Sequence, residues 1–202
     1  MYPDCSPIGP VGEPCLFHEH ILTQDCGAQY DWFLRTLAEV PADDFLIVVA
    51  HHPLDELNVR DFVSPLQARG FHLYLNGHVH TLNQYSLDGG RGGGIYVTSG
   101  AGAMLQTHDQ ESDAAAAKAA GRSFSSVPPP GVDGTRHEYE TVWNQPVAGF
   151  TLHEFSDDDQ SITTEFVSYQ GETLRTVIVR KEDAFASGGK ASAARTPAAA
   201  AM

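Results

Sequence analysis

The apolar positions fall into a helix-period stripe, then short unbroken runs, then alternating runs. In 28–40, Tyr30, Phe33, Leu34 and Leu37 recur at i, i+3, i+4 and i+7. That spacing predicts an amphipathic helix, which Pro41 ends. Residues 45–50 (Phe-Leu-Ile-Val-Val-Ala) are apolar without alternation, the pattern of a strand covered on both faces. A short helix is predicted over 59–68, stopped by Gly70. Residues 71–75 read as the next strand. Residues 84–87 and 95–99 read as a strand pair joined by the glycine-rich stretch 88–94. Residues 149–155, 161–169 and 173–180 read as a meander, with turns at Asp157-Asp158-Asp159 and Gln170-Gly171.

Other stretches lack this periodicity. Residues 1–27 are rich in Pro and Gly, with Pro3, Pro7, Pro10 and Pro14 breaking any regular element, and read as an irregular N-terminal segment. Residues 106–147 carry an alanine run and Pro128-Pro129-Pro130 and read as a low-complexity insertion. Residues 183–202 are dominated by Ala, Ser and Gly, a composition that predicts a disordered tail. The elements make one α/β (α+β) domain over 28–182, with no internal repeat.

Charge narrows the partners. The net charge is −14, from 12 Lys+Arg against 26 Asp+Glu. Nucleic acid and anionic membrane both need a basic face, so neither is an expected partner. A phosphorylated substrate stays open, because bound cations reverse the sign locally. Cys5, Cys15 and Cys26 allow one disulfide with one thiol over, or three thiols, and form no C-x-x-C pair. Met1-Tyr2-Pro3-Asp4 has neither the basic start nor the apolar core of a signal peptide. No apolar run approaches membrane-spanning length.

Candidate chemistry sits directly beyond the buried runs. His51 and His52 follow the first strand, and His78 and His80 follow the second. Strand ends of α/β sheets hold side chains rigidly while the loops leave room for a ligand. In an extended segment, His78 and His80 at i, i+2 share one face, and Gly77 permits a sharp backbone path. Three converging imidazoles (His51, His78 and His80) suit Zn²⁺, Fe or Mn²⁺. The bland alternative is core or surface histidines, and that is the default for His18, His20, His108, His137 and His153. The Gly89–Gly94 run reads as a flexible hairpin and not a phosphate cradle, since no helix follows it.

The order helix, strand, Ala50-His51-His52-Pro53, helix, strand, Gly77-His78-Val79-His80, strand pair, Ser99-Gly100-Ala101-Gly102 resembles the C-terminal half of the calcineurin-like metallophosphoesterases. It is most similar to the purple, tartrate-resistant acid phosphatases. Ala148-Gly149-Phe150, Phe166-Val167 and Gly171 sit where that family has its closing strands. The resemblance implies part of a four-layer sandwich of mixed sheets flanked by helices, the metallo-dependent phosphatase fold. It implies two metal ions (Fe with Zn, Mn or Fe), with His51 and His78 on the second and His80 on the first. In the family the metals clamp a phosphate ester and activate a hydroxide for in-line attack on phosphorus. The implied substrate is a phosphorylated small molecule or protein, and the implied compartment is secreted or lysosomal.

The departures from the family are specific. Its G-D, G-D-x-x and G-N-H motifs are not found in 1–27, and with them go the bridging carboxylate and the asparagine ligand. Nine positions after His51, where the tartrate-resistant enzymes carry another histidine, stands Arg60. Its guanidinium suits either a phosphate oxygen or a plain surface charge. His52 occupies a position often filled by Tyr or Ala in relatives, where it would line the pocket. Three readings follow: an acid phosphatase-like hydrolase carrying the histidine half of a dinuclear centre, an inactive fragment acting as a binding domain, or a phosphodiesterase or nucleotidase of the same family.

Overall fold

A computed structural model describes residues 27–54, 60–102, 105 and 137–185. The cysteines, His18, His20, His108, the alanine and proline runs and the tail beyond 185 lie outside the described residues.

Helix α1 (Gly27–Glu39) leads into β1 (Ile47–Val49), α2 (Val63–Arg69) and β2 (Leu73–Asn76). Then come β3 (Leu82–Leu87), β4 (Ile95–Ser99), β5 (Tyr139–Gln145), β6 (Gly149–Phe155), β7 (Ser161–Ser168), β8 (Thr173–Arg180) and a 3₁₀ turn, Lys181–Phe185. Five strands form a mixed sheet in the order β1-β2-β4-β3-β5, and β6-β7-β8 form a second sheet. In the first, β1, β2 and β4 run parallel while β3 runs antiparallel to β4 and β5. The second is wholly antiparallel. The chain is therefore a mixed α+β fold with two sheets and few helices. Among the described residues it has three layers: helices, the five-stranded sheet and the three-stranded sheet.

Side-chain alternation explains the layering. Successive strand residues point to opposite faces, so Tyr74 and Tyr96 join Leu37, Leu66 and Phe71 beneath the helices. Leu73, Ile95 and Val97 face the other way, onto Ile162, Phe166, Val177 and Val179 of the second sheet. Burying a Leu or Phe side chain contributes about 1.5–3 kcal/mol, so Leu66 and Phe71, both fully buried, anchor the helix layer. Gly70 ends α2 as expected: its φ is 78° and its N–H donates to the Leu66 carbonyl.

Three sequence expectations shift. The insertion read over 106–147 runs too far, because Tyr139–Gln145 is strand β5. It is an edge strand with mostly exposed side chains, so it lacks the apolar signature of a buried run. Helix α2 starts at Val63, later than 59, and the Asp61 carboxylate accepts the Ser64 N–H at its start. The first strand is not covered throughout, since Val49 is 75% exposed. The Gly89–Gly94 run joins β3 and β4, as the hairpin reading requires, but it is closely packed. A Cβ on Gly94 would run into the Phe71 ring, and one on Gly92 would crowd the Gln67 backbone.

Two histidines outside the candidate site lock the fold. His72 Nδ1 accepts the Leu46 N–H at 2.9 Å, and Nε2 lies 3.0 Å from the Lys181 carbonyl oxygen. This pair of partners requires the neutral ring with its proton on Nε2. Burial lowers the His72 pKa, outweighing the Lys181 carbonyl and Asp183, which favour the proton. With a folded-state pKa below the unfolded one, the unfolded chain binds the extra proton as pH falls through about 6.5, so stability declines on acidification. The pKa values of His52, His78 and His153 are lowered as well, so the protein is expected to be less stable at pH 5.5 than at pH 7.5 in denaturant titrations, by about 1 kcal/mol or more. Equal stabilities at the two pH values would contradict it.

His137 is held between two carboxylates, Asp88 Oδ2 at 2.6 Å from Nδ1 and Asp61 Oδ1 at 3.1 Å from Nε2. Each ring nitrogen thus faces a carboxylate oxygen, and the ring bridges Asp88 and Asp61. Burial raises the Asp88 pKa, but hydrogen bonds from His137, the Glu138 N–H and Gln67 outweigh it and hold the carboxyl below the usual range. The bridge ties α2 and the β3–β4 turn to the start of β5. His137→Ala is expected to cost about 1–3 kcal/mol in chemical denaturation, the scale of leaving charged partners unsatisfied. A loss below about 0.5 kcal/mol, usual for a surface substitution, would show that the bridge is not structural.

Candidate metal centre

Strands β1 and β2 are parallel neighbours, with Val49 opposite Leu75. Their pairing continues past the strand ends. Ala50 N–H donates to the Leu75 carbonyl and Gly77 N–H to the His51 carbonyl, both at 3.0 Å. The extension places His51 and the 77–80 loop side by side at the carboxyl edge of the sheet. That is where open α/β sheets bind ligands.

The loop after β2 is tightly specified. His78 has φ 59°, in the left-handed region, which costs a non-glycine residue on the order of 1 kcal/mol. Val79 N–H donates to the Gly77 carbonyl at 2.7 Å, closing a turn around His78. Asn76 Nδ2 donates to the same carbonyl at 3.1 Å and to Thr98 Oγ1 at 3.0 Å. Tyr85 Oη in turn donates to Asn76 Oδ1 at 3.1 Å. From the opposite side, Gly100 packs on the loop backbone. A Cβ there would overlap the Val79 carbonyl oxygen and lie 2.8 Å from its carbon. The strain at His78 is thus held by a buried hydrogen-bond network and by the Gly100 contact.

Three imidazoles meet here. One ligand atom each from His51, His52 and His78 lies within 4.8 Å of the others. His78 Nδ1 and His51 Nε2 are 3.3 Å apart. The His52 ring centroid is 4.2 Å from that of His78 and 4.9 Å from that of His51. Partial desolvation inside the cluster, though one side of the ring stays exposed, pushes the His78 pKa down to about 4, with His52, His51 and His80 adding charge repulsion in that order. Burial, then His51, also lowers that of His52. Both rings are therefore neutral near pH 7, the form that ligates metal.

The donor set fits a transition-metal ion. Two nitrogens on one tetrahedral ion, with bonds of about 2.0–2.1 Å, stand about 3.3 Å apart, and His51 and His78 already have that separation. Imidazole is a ligand for Zn, Cu, Fe and Ni, whereas Mg and Ca take oxygen donors. Among the described residues no carboxylate joins the group.

The structure brings His51 and His78 together, as their positions beyond adjacent strands require. His80 is not in the group of three, though it is near enough to affect the proton of His78. The i, i+2 argument fails because it assumes an extended segment, and His78 is left-handed. The sharp path attributed to Gly77 belongs to His78 instead: Gly77 is not at positive φ, and a Cβ on it would meet His51 only at ordinary contact distance. Arg60 is exposed. The sequence places His52 in the pocket lining and not among the ligands, and nothing in it singles out Asn76. Neighbouring residues on a regular strand diverge, and only the bend at 51–52 brings both rings to one side.

The chain is similar to several solved structures. One is described as GAP50, the anchor in the inner membrane complex of Plasmodium. The identity is 21%, over 76% of this chain and 42% of that one, with a TM-score of 0.49. Another is the purple acid phosphatase PPD1 isolated from yellow lupin (Lupinus luteus) seeds. There the identity is 15%, over 85% of this chain and 32% of that one, with a TM-score of 0.48. The chain spans less than half the length of either structure. No family model and no curated protein matches the chain. Likenesses of this size establish neither a family nor a function.

Proposed function

We propose that the chain carries the imidazole half of a metal-dependent phosphoester hydrolase acting, like an acid phosphatase, on phosphomonoesters. The observation that supports this most is the meeting of His51 and His78 at the ends of two parallel strands, on the two motifs that carry the resemblance. When bound, metal supplies positive charge for a phosphate ester and lowers the pKa of a coordinated water. The protein's part is to hold neutral imidazoles in place, through the Gly77–His51 hydrogen bond and the Asn76–Tyr85 network. The exposed cluster edge leaves room for substrate, and Arg60 is the candidate for a phosphate oxygen.

The test is hydrolysis of p-nitrophenyl phosphate by the purified chain with added Zn²⁺, Mn²⁺ or Fe²⁺. The reading expects chelator-reversible release of nitrophenol that His51→Ala abolishes. Release no faster than a metal-only blank contradicts it. A second reading, a metal-binding domain without hydrolytic activity, is supported by the lack of a carboxylate in the cluster among the described residues. Bound metal without turnover is its signature.

A further inference from the structure

We propose that His52 is a metal ligand, and that His51, His52 and His78 hold a single Zn²⁺- or Co²⁺-type ion in preference to Mg²⁺ or Ca²⁺. This rests on reading the cluster as a metal site, and it is independent of the phosphate chemistry proposed for that site. The resemblance would pair His51 and His78 with His80 across two metals. The geometry points elsewhere: the three donors within 4.8 Å of one another are those of His51, His52 and His78. Three protein nitrogens around one ion leave a fourth position open, the arrangement of a catalytic site rather than a closed structural one. Two of the three residues are exposed, so the cluster is reachable from solvent.

The backbone at His52 is built for such a role. The buried Tyr74 donates its hydroxyl to the His52 carbonyl oxygen at 2.7 Å. One residue earlier, the His51 carbonyl accepts the Gly77 N–H. Consecutive carbonyls are thus tied to β2 and to the loop after it, which fixes where both rings leave the chain. Tyr74 acts through His52 and is a positioning residue. Its neighbour two positions on, Asn76, does the same for the carbonyl before His78. Both ties act on the backbone that carries the rings and not on the ring nitrogens.

The experiment is calorimetric titration of the metal-free chain with ZnCl₂, CoCl₂ and MgCl₂, together with the visible absorption of the Co²⁺ form. The expected result is one Zn²⁺ or Co²⁺ per chain, no Mg²⁺ binding, and a Co²⁺ spectrum of four-coordinate intensity. His52→Ala is expected to weaken Co²⁺ binding at least ~10-fold and shift the spectrum, while His80→Ala stays within ~3-fold of the parent. His52→Gln keeps length and polarity and repeats the test if the alanine variant does not fold, as judged by circular dichroism. Tyr74→Phe is expected to lower Co²⁺ affinity while leaving the ion count at one.

Parental Co²⁺ affinity and spectrum in the His52 variants would overturn the assignment, as would loss of binding in His80→Ala or two ions per chain. The outcomes also separate this inference from the proposed reaction. Metal held through His52 without nitrophenol release sinks the hydrolase and leaves the ligand set. Hydrolysis that survives His52→Ala at parental Co²⁺ affinity does the reverse.

Discussion

Gly100→Ala is expected to destabilise the protein by about 1–3 kcal/mol, the usual scale of overpacking a filled site, and to weaken metal binding at least ~10-fold. The new methyl group would stand where the Val79 carbonyl now lies. Neither side can yield easily. Gly100 N–H donates to the Thr81 carbonyl at 3.1 Å, and the 77–81 loop is pinned by Val79 N–H to Gly77 and Thr81 N–H to Val79. Relief therefore comes from shifting the loop, and His78 moves with it. Gly77→Ala is the control. A Cβ at Gly77 meets His51 Nδ1 at 3.8 Å and its carbonyl oxygen at 3.9 Å, ordinary contacts, so stability is expected within about 0.5 kcal/mol of the parent, as for a tolerated substitution. Thermal unfolding and Co²⁺ titration of the two variants decide the matter. Equal behaviour of the two, or a harmless alanine at 100, contradicts this account of the loop.

His78→Gly is expected to split stability from function. The ring supplies one donor of the cluster, and its removal is expected to lower metal affinity about 100-fold or more, beyond what an outer partner contributes. Yet the backbone at 78 is left-handed, a conformation that glycine adopts without steric cost. The side chain is exposed, so little packing is lost. The metal-free variant is therefore expected to equal the parent in denaturant stability or exceed it by as much as about 1 kcal/mol. A clear loss of metal-free stability would mean that the His78 ring supports the fold, and that the strain is not retained for ligation.

How much of this was legible in the residues depends on which physics governs each position. The apolar runs at 45–50 and 71–75, the second interrupted by His72, mark adjacent parallel strands, although β1 is only partly covered and Val49 is exposed. From them follow the nearness of His51 and His78. The meander of β6, β7 and β8 was legible from its alternating runs, with turn residues at fixed places. Strand β5 was not, since it is an edge strand of mostly exposed, mixed side chains next to a low-complexity stretch. Within the site, pattern reasoning assumed extended backbone beyond β2, and one left-handed residue cancels the assumption. His78 thereby parts from His80, and the bend at His51-His52 brings in a ring that strand alternation would have turned away. The Ser99-Gly100-Ala101-Gly102 stretch was noticed as a motif. Its physical reason, contact between Gly100 and the Val79 carbonyl, is a tertiary fact without a local signature. The tie from Asn76 to Gly77 likewise depends on Thr98 and Tyr85, which lie on other strands.

The most direct measurement is X-ray absorption at the zinc edge on the chain loaded with one equivalent of Zn²⁺ and passed through a desalting column. Imidazoles converging on one ion predict that zinc stays bound, with a shell of imidazole nitrogens at about 2.0–2.1 Å that His51→Ala depletes. Zinc that washes away, or a shell of oxygens alone, would contradict the convergence of these rings on a shared cation.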